Sequence, residues 1–280
     1  VTVQPTKILC MADLYRVSSH GFEFRVFLTL LAVGCRALGS GNAEPVRVLV
    51  YNIHAGTDAA RVPNLERVAE VVRATRADIV LLQEVDRRTR RSGGVDQLDS
   101  LRRLTGLSGA FGKTIDYDNG EYGLGILSRW AIQSDSLVPL PVAAPHAGYE
   151  ARGAMVARVE MPGRGLRIID THLDASRESY RTEQAGRLAA ISAGPEQADM
   201  VGGDFNSEPG AGVLALLAAA GFRDAWPGCG EGPGLTFPVT TPTKRIDYLL
   251  ISSRWKCISA TVLSAQASDH RAVLFEIVRH

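Results

Sequence analysis

The 280-residue chain is sparing in cysteine, in aromatic residues and in net charge. A formal net charge of +1 argues against a nucleic-acid binder that relies on a broadly basic surface, because phosphate-tracking proteins carry a clear positive excess. Aromatic residues make up 6% of the chain, which disfavours extensive stacking on unpaired bases. No repeat, low-complexity tract or interdomain linker interrupts the sequence after Val46, so one domain is the simplest organisation. What is present is ordinary for a globular protein with many turns: 45% apolar residues, 22% charged residues and 28 glycines.

The first 45 residues differ from the rest. Arg25 precedes the apolar run Val26 to Cys35, followed by Arg36, small residues and Pro45. The run is too short to span a bilayer but suits the apolar centre of a secretory signal, with Gly41-Asn42-Ala43 offering small residues for cleavage. The expectation is a leader over residues 1–44 and a folded domain over 45–280, secreted or periplasmic. The alternatives are an ordered N-terminal helix or a mis-assigned start upstream of Met11, which would make the protein cytoplasmic. A lipid anchor at Cys35 is a further alternative, although Ala32 stands where a lipobox has leucine. Removal of the leader leaves Cys229 and Cys257, which permit one disulfide or two buried thiols. The remainder carries no transmembrane segment and implies a monomer without a stable protein partner.

Short, β-branched, leucine-rich runs at Val46 to Asn52 and Asp78 to Glu84 predict buried strands. Between them Leu65, Val68, Ala69 and Val72 share one helical face, with Asn64 as the candidate N-cap. Arg152 to Glu160 and Leu166 to His172 predict a hairpin joined by Pro162-Gly163-Arg164-Gly165. Further strands are expected at Tyr122 to Leu127, Met200 to Gly203, Ile246 to Ile251, Thr261 to Ala265 and Ala272 to Val278, and helices at Glu178 to Ile191 and Gly212 to Ala220. Many strands with few, widely spaced helices imply an α/β protein of mixed sheets packed face to face, with helices outside.

Polar residues recur where apolar strands end: Asn52 and His54, Gln83 and Glu84, His172, Asp204 and Asn206, Asp247, Asp269 and His270. Singly, an Asp or Asn after a strand most often caps a turn. Collectively they match the needs of phosphoryl transfer, in which oxygen donors hold a hard divalent cation and imidazoles stabilise or protonate phosphate oxygens.

These residues fall into motifs: Tyr51-Asn52-Ile53-His54, Leu82-Gln83-Glu84-Val85, Thr171-His172-Leu173, Gly203-Asp204-Phe205-Asn206, Arg245-Ile246-Asp247-Tyr248 and Ser268-Asp269-His270. Their order resembles the endonuclease/exonuclease/phosphatase superfamily from about Val46 to the C-terminus. The resemblance implies a four-layer α/β sandwich, two packed mixed β-sheets flanked by helices, with magnesium or manganese as cofactor and a phosphoester as substrate. It places Glu84 on the metal with Asn52 and Asp269 beside it. Asp204 would orient or deprotonate the attacking water, and Asn206 would hold a phosphate oxygen. His270 would face the phosphate, oriented by Asp247. Glu121 matches the glutamate that partners the other catalytic histidine, here His172, in pancreatic-type DNases, and Arg152 matches a phosphate-contacting arginine.

The Thr-His-Leu context of His172 is unlike abasic-site endonucleases and closer to sphingomyelinases, inositol-phosphate phosphatases, poly(A) deadenylases and DNase-like enzymes. Arg87, Arg88, Arg90 and Arg91 follow Glu84 closely and are expected in a loop near the site mouth. They would hold a second phosphate, or else form a solvated loop balanced by Asp86 and Asp96. No aromatic platform is evident beside them, so a small or lipid-linked phosphoester is favoured over the alternative, a DNase- or RNase-like nuclease. A non-catalytic binding module is disfavoured because every matching position holds a competent residue.

Overall fold

A computed structural model of the chain describes residues 44–280. The leader expected over residues 1–44 therefore lies, apart from Glu44, outside the described residues. Among those described, no helix is long and apolar enough to cross a membrane.

Among the described residues, twelve strands form two six-stranded mixed sheets. The first holds β1 (Val46–Asn52), β2 (Ile79–Arg87), β3 (Ser108–Tyr117), β4 (Gly120–Ser128), β11 (Trp255–Val262) and β12 (Val273–Arg279), in the order β11-β12-β1-β2-β4-β3. The second holds β5 (Ile132–Leu140), β6 (Arg152–Met161), β7 (Arg164–His172), β8 (Met200–Asp204), β9 (Phe222–Asp224) and β10 (Asp247–Ser252), in the order β5-β6-β7-β8-β10-β9. Alternation along β1 explains the layering. Val48 and Val50 point into the core between the sheets, where they join Ile168, Met200 and Leu249. Leu49 and Tyr51 point the other way, onto Val68 and Val72 of α1 (Leu65–Thr75) and Leu101 of α2 (Gln97–Thr105). Helices α3 (Glu178–Ser192) and α4 (Gly212–Ala219) cover the outer face of the second sheet through Leu188, Val213 and Leu217. The result is the expected four-layer sandwich.

Several local expectations shift. Asn64 occupies the N-cap of α1, but its side chain makes no capping bond. The strand expected at Thr261 to Ala265 ends at Val262 and begins at Trp255. The β6–β7 hairpin turns at Gly163, whose φ of +81° favours glycine. Gly203 has a different necessity: a Cβ there would lie 1.9 Å from the Thr171 carbonyl oxygen, so only glycine lets β8 lie this close to β7.

Cys229 and Cys257 form a disulfide, with Cα atoms 5.7 Å apart and a sequence separation of 28. A loop of this size implies that reduction lowers the unfolding free energy by about 3–4 kcal/mol in the chain-entropy picture. The denatured, unreduced chain should titrate no more than two of its four cysteines, and four free thiols would contradict the pairing.

Asp170 is fully buried between the sheets, where its Oδ1 accepts a 2.6 Å hydrogen bond from Gln83 Nε2. The other oxygen, Asp170 Oδ2, and Gln83 Oε1 are both buried without a partner. Two unpaired acceptors are costly, and a proton on Oδ2 converts one into a donor. Burial accordingly pushes the Asp170 carboxyl well above its ordinary range, the Gln83 hydrogen bond opposing it only in part. Because the folded pKa is raised, Asp170 costs stability as pH climbs above about 4, the value in the unfolded chain. Asp170→Asn should therefore melt close to wild type at pH 4 and above it at pH 8. A thermal-melt series with no widening gap would refute a protonated Asp170.

Candidate active site

The strand register builds the site. His172, the last residue of β7, pairs with Asp204, the last of β8, and Asp204 pairs in turn with Asp247, the first of β10. In the other sheet Asn52 ends β1 opposite Gln83 of β2. The ladder slips between Leu82 and Val85, and Glu84 takes a left-handed φ of +57° in this bulge. Leu82 and Val85 both stay in the core against the helices while Glu84 is thrown clear. Ser268 Oγ donates 2.7 Å to the Asn52 carbonyl oxygen, anchoring the Ser268-Asp269-His270 turn to the end of β1.

Glu84, Asp269, Asp204, Asn206, His172 and His270 line one cavity of about 380 Å³. His54, Arg61, Glu84 and Asn206, four of the nine non-glycine residues with positive φ among the described residues, lie on its wall. Strained backbone of this kind costs roughly 1–3 kcal/mol per residue and collects where side chains must be aimed. A larger cavity of about 620 Å³ beside Trp226 holds no comparable convergence of acids and imidazoles, with Glu231 and Arg271 its only charged residues.

Asn52 is fully buried behind Glu84 and Asp204. Its Nδ2 donates to Glu84 Oε1 (3.0 Å) and Asp204 Oδ2 (3.1 Å), and its Oδ1 accepts from the His54 amide at 3.0 Å. Asp204 Oδ2 stands between the two imidazoles, 3.6 Å from His172 Nε2 and 3.7 Å from His270 Nε2. Burial, with the nearby Asp247 carboxylate, raises the Asp204 carboxyl to about 7. The two histidines differ in charge. Burial alone would lower the pKa of His270, but Asp247, which accepts its Nδ1–H at 3.0 Å, lifts it to about 10, so the ring is a cation at neutral pH. His172 is held well below its ordinary value by burial, by the Arg152 guanidinium and by cationic His270. Arg152 Nη1 lies 3.1 Å from His172 Nδ1, and a guanidinium only donates. Nε2 likewise lies 3.0 Å from a donor, Asn206 Nδ2, so both ring nitrogens of the neutral imidazole face donor groups, with Asp204 beside Nε2.

Glu121 does not reach His172. Side chains alternate along β4, and Tyr122 faces the cavity, so Glu121 turns away to pair with Arg87 and, at 3.7 Å, Lys113. The nearest carboxylate on that side is Glu150, which pairs with Arg152 Nη1 at 2.5 Å and so reaches the histidine through the arginine. Only the acid–base spacing Glu150-Ala151-Arg152 hinted at it in the sequence. The arginine cluster also divides. Arg87 lies over Phe111 (4.3 Å) and Arg90 pairs with Asp118 (3.1 Å), while Arg91, held by buried Asp86, alone of the four lines the cavity. Asp96 instead caps α2, accepting from the Asp99 amide. An aromatic wall does stand beside Arg91, whose guanidinium lies 4.5 Å from the Tyr117 ring centre and 5.4 Å from that of Tyr122.

Oxygen donors from Glu84, Asn52 and Asp269 suit a hard divalent cation, and the buried acids around them leave negative charge for one to neutralise. Ligand atoms of Asp204, Asp247 and His270 also lie within 4.8 Å of one another. A protonated His270 has no lone pair to offer a metal, so this triad reads as a proton-handling group beside the oxygen set.

A family model described as Endonuclease/Exonuclease/phosphatase family matches residues 49–270. Protein YbhP of Escherichia coli K12 is 28% identical over 247 residues, spanning 82% of this chain and 95% of YbhP. In fold, the chain is similar to the Bacteroides thetaiotaomicron mannosyl-6-phosphatase Bt3783, with a TM-score of 0.69 and 18% identity over 83% of this chain and 99% of that one. It is likewise similar to the human nocturnin catalytic domain with bound sulfate, at TM-score 0.66 and 22% identity over 85% and 97% of the two chains. With its motifs assembled in one cavity and its family model matched over most of its length, this chain belongs to the endonuclease/exonuclease/phosphatase family, whose members are hydrolases acting on phosphoesters.

Proposed function

We propose that the domain over 45–280 hydrolyses a small or lipid-linked phosphoester by in-line attack of water, with magnesium or manganese held by Glu84, Asn52 and Asp269. The observation that carries this reading is Asp204 standing between a neutral and a cationic imidazole on the cavity that Glu84 and Asp269 also line. When bound, the cation neutralises phosphate charge and polarises the phosphorus centre. Asp204, raised to about 7, is basic enough to accept the proton of the attacking water. His270 presents a positive charge and a donor to the phosphate, with Asp247 fixing its orientation. Arg152 and the amide of Asn206 hold phosphate oxygens, and Arg152, 3.1 Å from Nδ1, positions the His172 ring.

A nuclease is the second reading, favoured by the Arg91, Tyr117 and Tyr122 wall on which a base would stack. It would show plasmid nicking or poly(A) trimming with a steep salt dependence. A secreted or periplasmic monomer suits the first reading. Excess chelator should abolish hydrolysis of aryl phosphates, sphingomyelin, phosphoinositides, plasmid or poly(A), whichever is cleaved, and added magnesium or manganese should restore it. Full activity in chelator would overturn the proposal.

A further inference from the structure

The catalytic cavity does not end at the phosphate-facing residues. Ala175, Asn206, Phe237 and His270 also line a second cavity of about 360 Å³, so the two spaces adjoin at the proposed phosphate contacts. The lobe on the Glu84 side runs out to Ile115 and to Tyr117, against which Arg91 is fixed by two 2.7 Å bonds to buried Asp86. The other lobe is bounded by Glu178, Arg181, Glu208, Ala211 and Lys244. Arg181 spends one Nη1 bond on the Asp174 carbonyl oxygen and leaves its Nε buried without a partner. Lys244 is exposed and pairs with no carboxylate among the described residues.

A phosphomonoester has one substituent and would fill one lobe, leaving the other to water. From this two-lobed cleft we infer that the substrate is a phosphodiester, with phosphorus at the Asn206–His270 junction and one ester group in each lobe. The inference rests on the phosphoesterase reading and narrows it to one class. Water adds to phosphorus and one P–O ester bond breaks. The departing oxygen leaves as an alcohol after gaining a proton, and the products are one alcohol and one phosphomonoester.

Ile115→Trp and Ala211→Trp each crowd one lobe, and neither residue belongs to the proposed catalytic groups. With magnesium, the wild-type chain should favour bis-aryl phosphate over the aryl monoester by tenfold or more in kcat/KM. Each tryptophan should cut kcat/KM for the bis-aryl ester at least tenfold, whereas the monoester should respond to at most one. Lys244→Trp, at an exposed position, replaces Ala211→Trp if that variant fails to fold. Equal or better use of the monoester by wild type overturns the diester assignment alone, as does a folded variant in either lobe that keeps bis-aryl turnover within twofold. Hydrolysis of neither ester by the magnesium-loaded chain, nor of the other substrates above, overturns the phosphoesterase reading and this inference with it.

Discussion

Asp247→Asn should lower kcat about as far as His270→Ala, roughly a thousandfold or more, with a much smaller change in KM. The reason is the charge on the imidazole. His270 is almost fully buried and would be neutral on its own, but the Asp247 carboxylate at 3.0 Å keeps it protonated up to about pH 10. An asparagine can still accept the Nδ1–H bond, so orientation survives while the charge does not. The sign is fixed: a pKa raised above the ordinary histidine value keeps the cation below about 10 and loses it above. Turnover limited by this group should persist to about pH 10 in the wild type and fall at lower pH in Asp247→Asn. Wild-type turnover in either variant would remove the pair from the mechanism.

Asp204→Asn should abolish turnover by a similar factor while the chain still folds. Asparagine is nearly isosteric, and its Oδ1 still accepts the Asn206 amide that Asp204 Oδ1 receives at 2.9 Å, whereas its NH2 loses the 3.1 Å bond from Asn52 Nδ2 to Oδ2 at every pH. What it lacks is the ability to take a proton from water. The wild-type carboxyl, raised to about 7 by burial and Asp247, favours the folded state only when protonated, so it costs stability as pH rises from about 4 through 7. The asparagine variant should therefore gain in melting temperature relative to wild type as pH rises from 4 to 8. Thermal melts beside steady-state rates separate the two effects. A variant that is both inactive and unfolded at pH 8 would contradict the assignment, since it would make Asp204 structural.

Strands β1, β2 and β8 were legible because they are buried on both faces and open as near-continuous apolar runs. The motif residues at their ends were legible for the same reason: each stands out as the first polar group after such a run. Edge strand β5, Ile132–Leu140, gave no such signal because most of its residues face solvent and Pro139 interrupts it. The highly charged helix α2 was also missed, although Asp96 caps it. Missing β3 had a consequence for the site, since that strand carries Ile115 and Tyr117 to the cavity rim. Glu121 and Tyr122 show the limit of motif matching. One position along a strand reverses the face, and only the tertiary register shows that the tyrosine points in and the glutamate out.

Water attack at phosphorus is tested most directly by magnesium-supported hydrolysis of bis-aryl phosphate in 18O-enriched water, with both products weighed by mass spectrometry. The proposed roles of Asp204 and His270 predict one 18O atom in the aryl phosphate released per turnover and none in the phenol. Label in the phenol, or hydrolysis that Asp204→Asn leaves unimpaired, would contradict them.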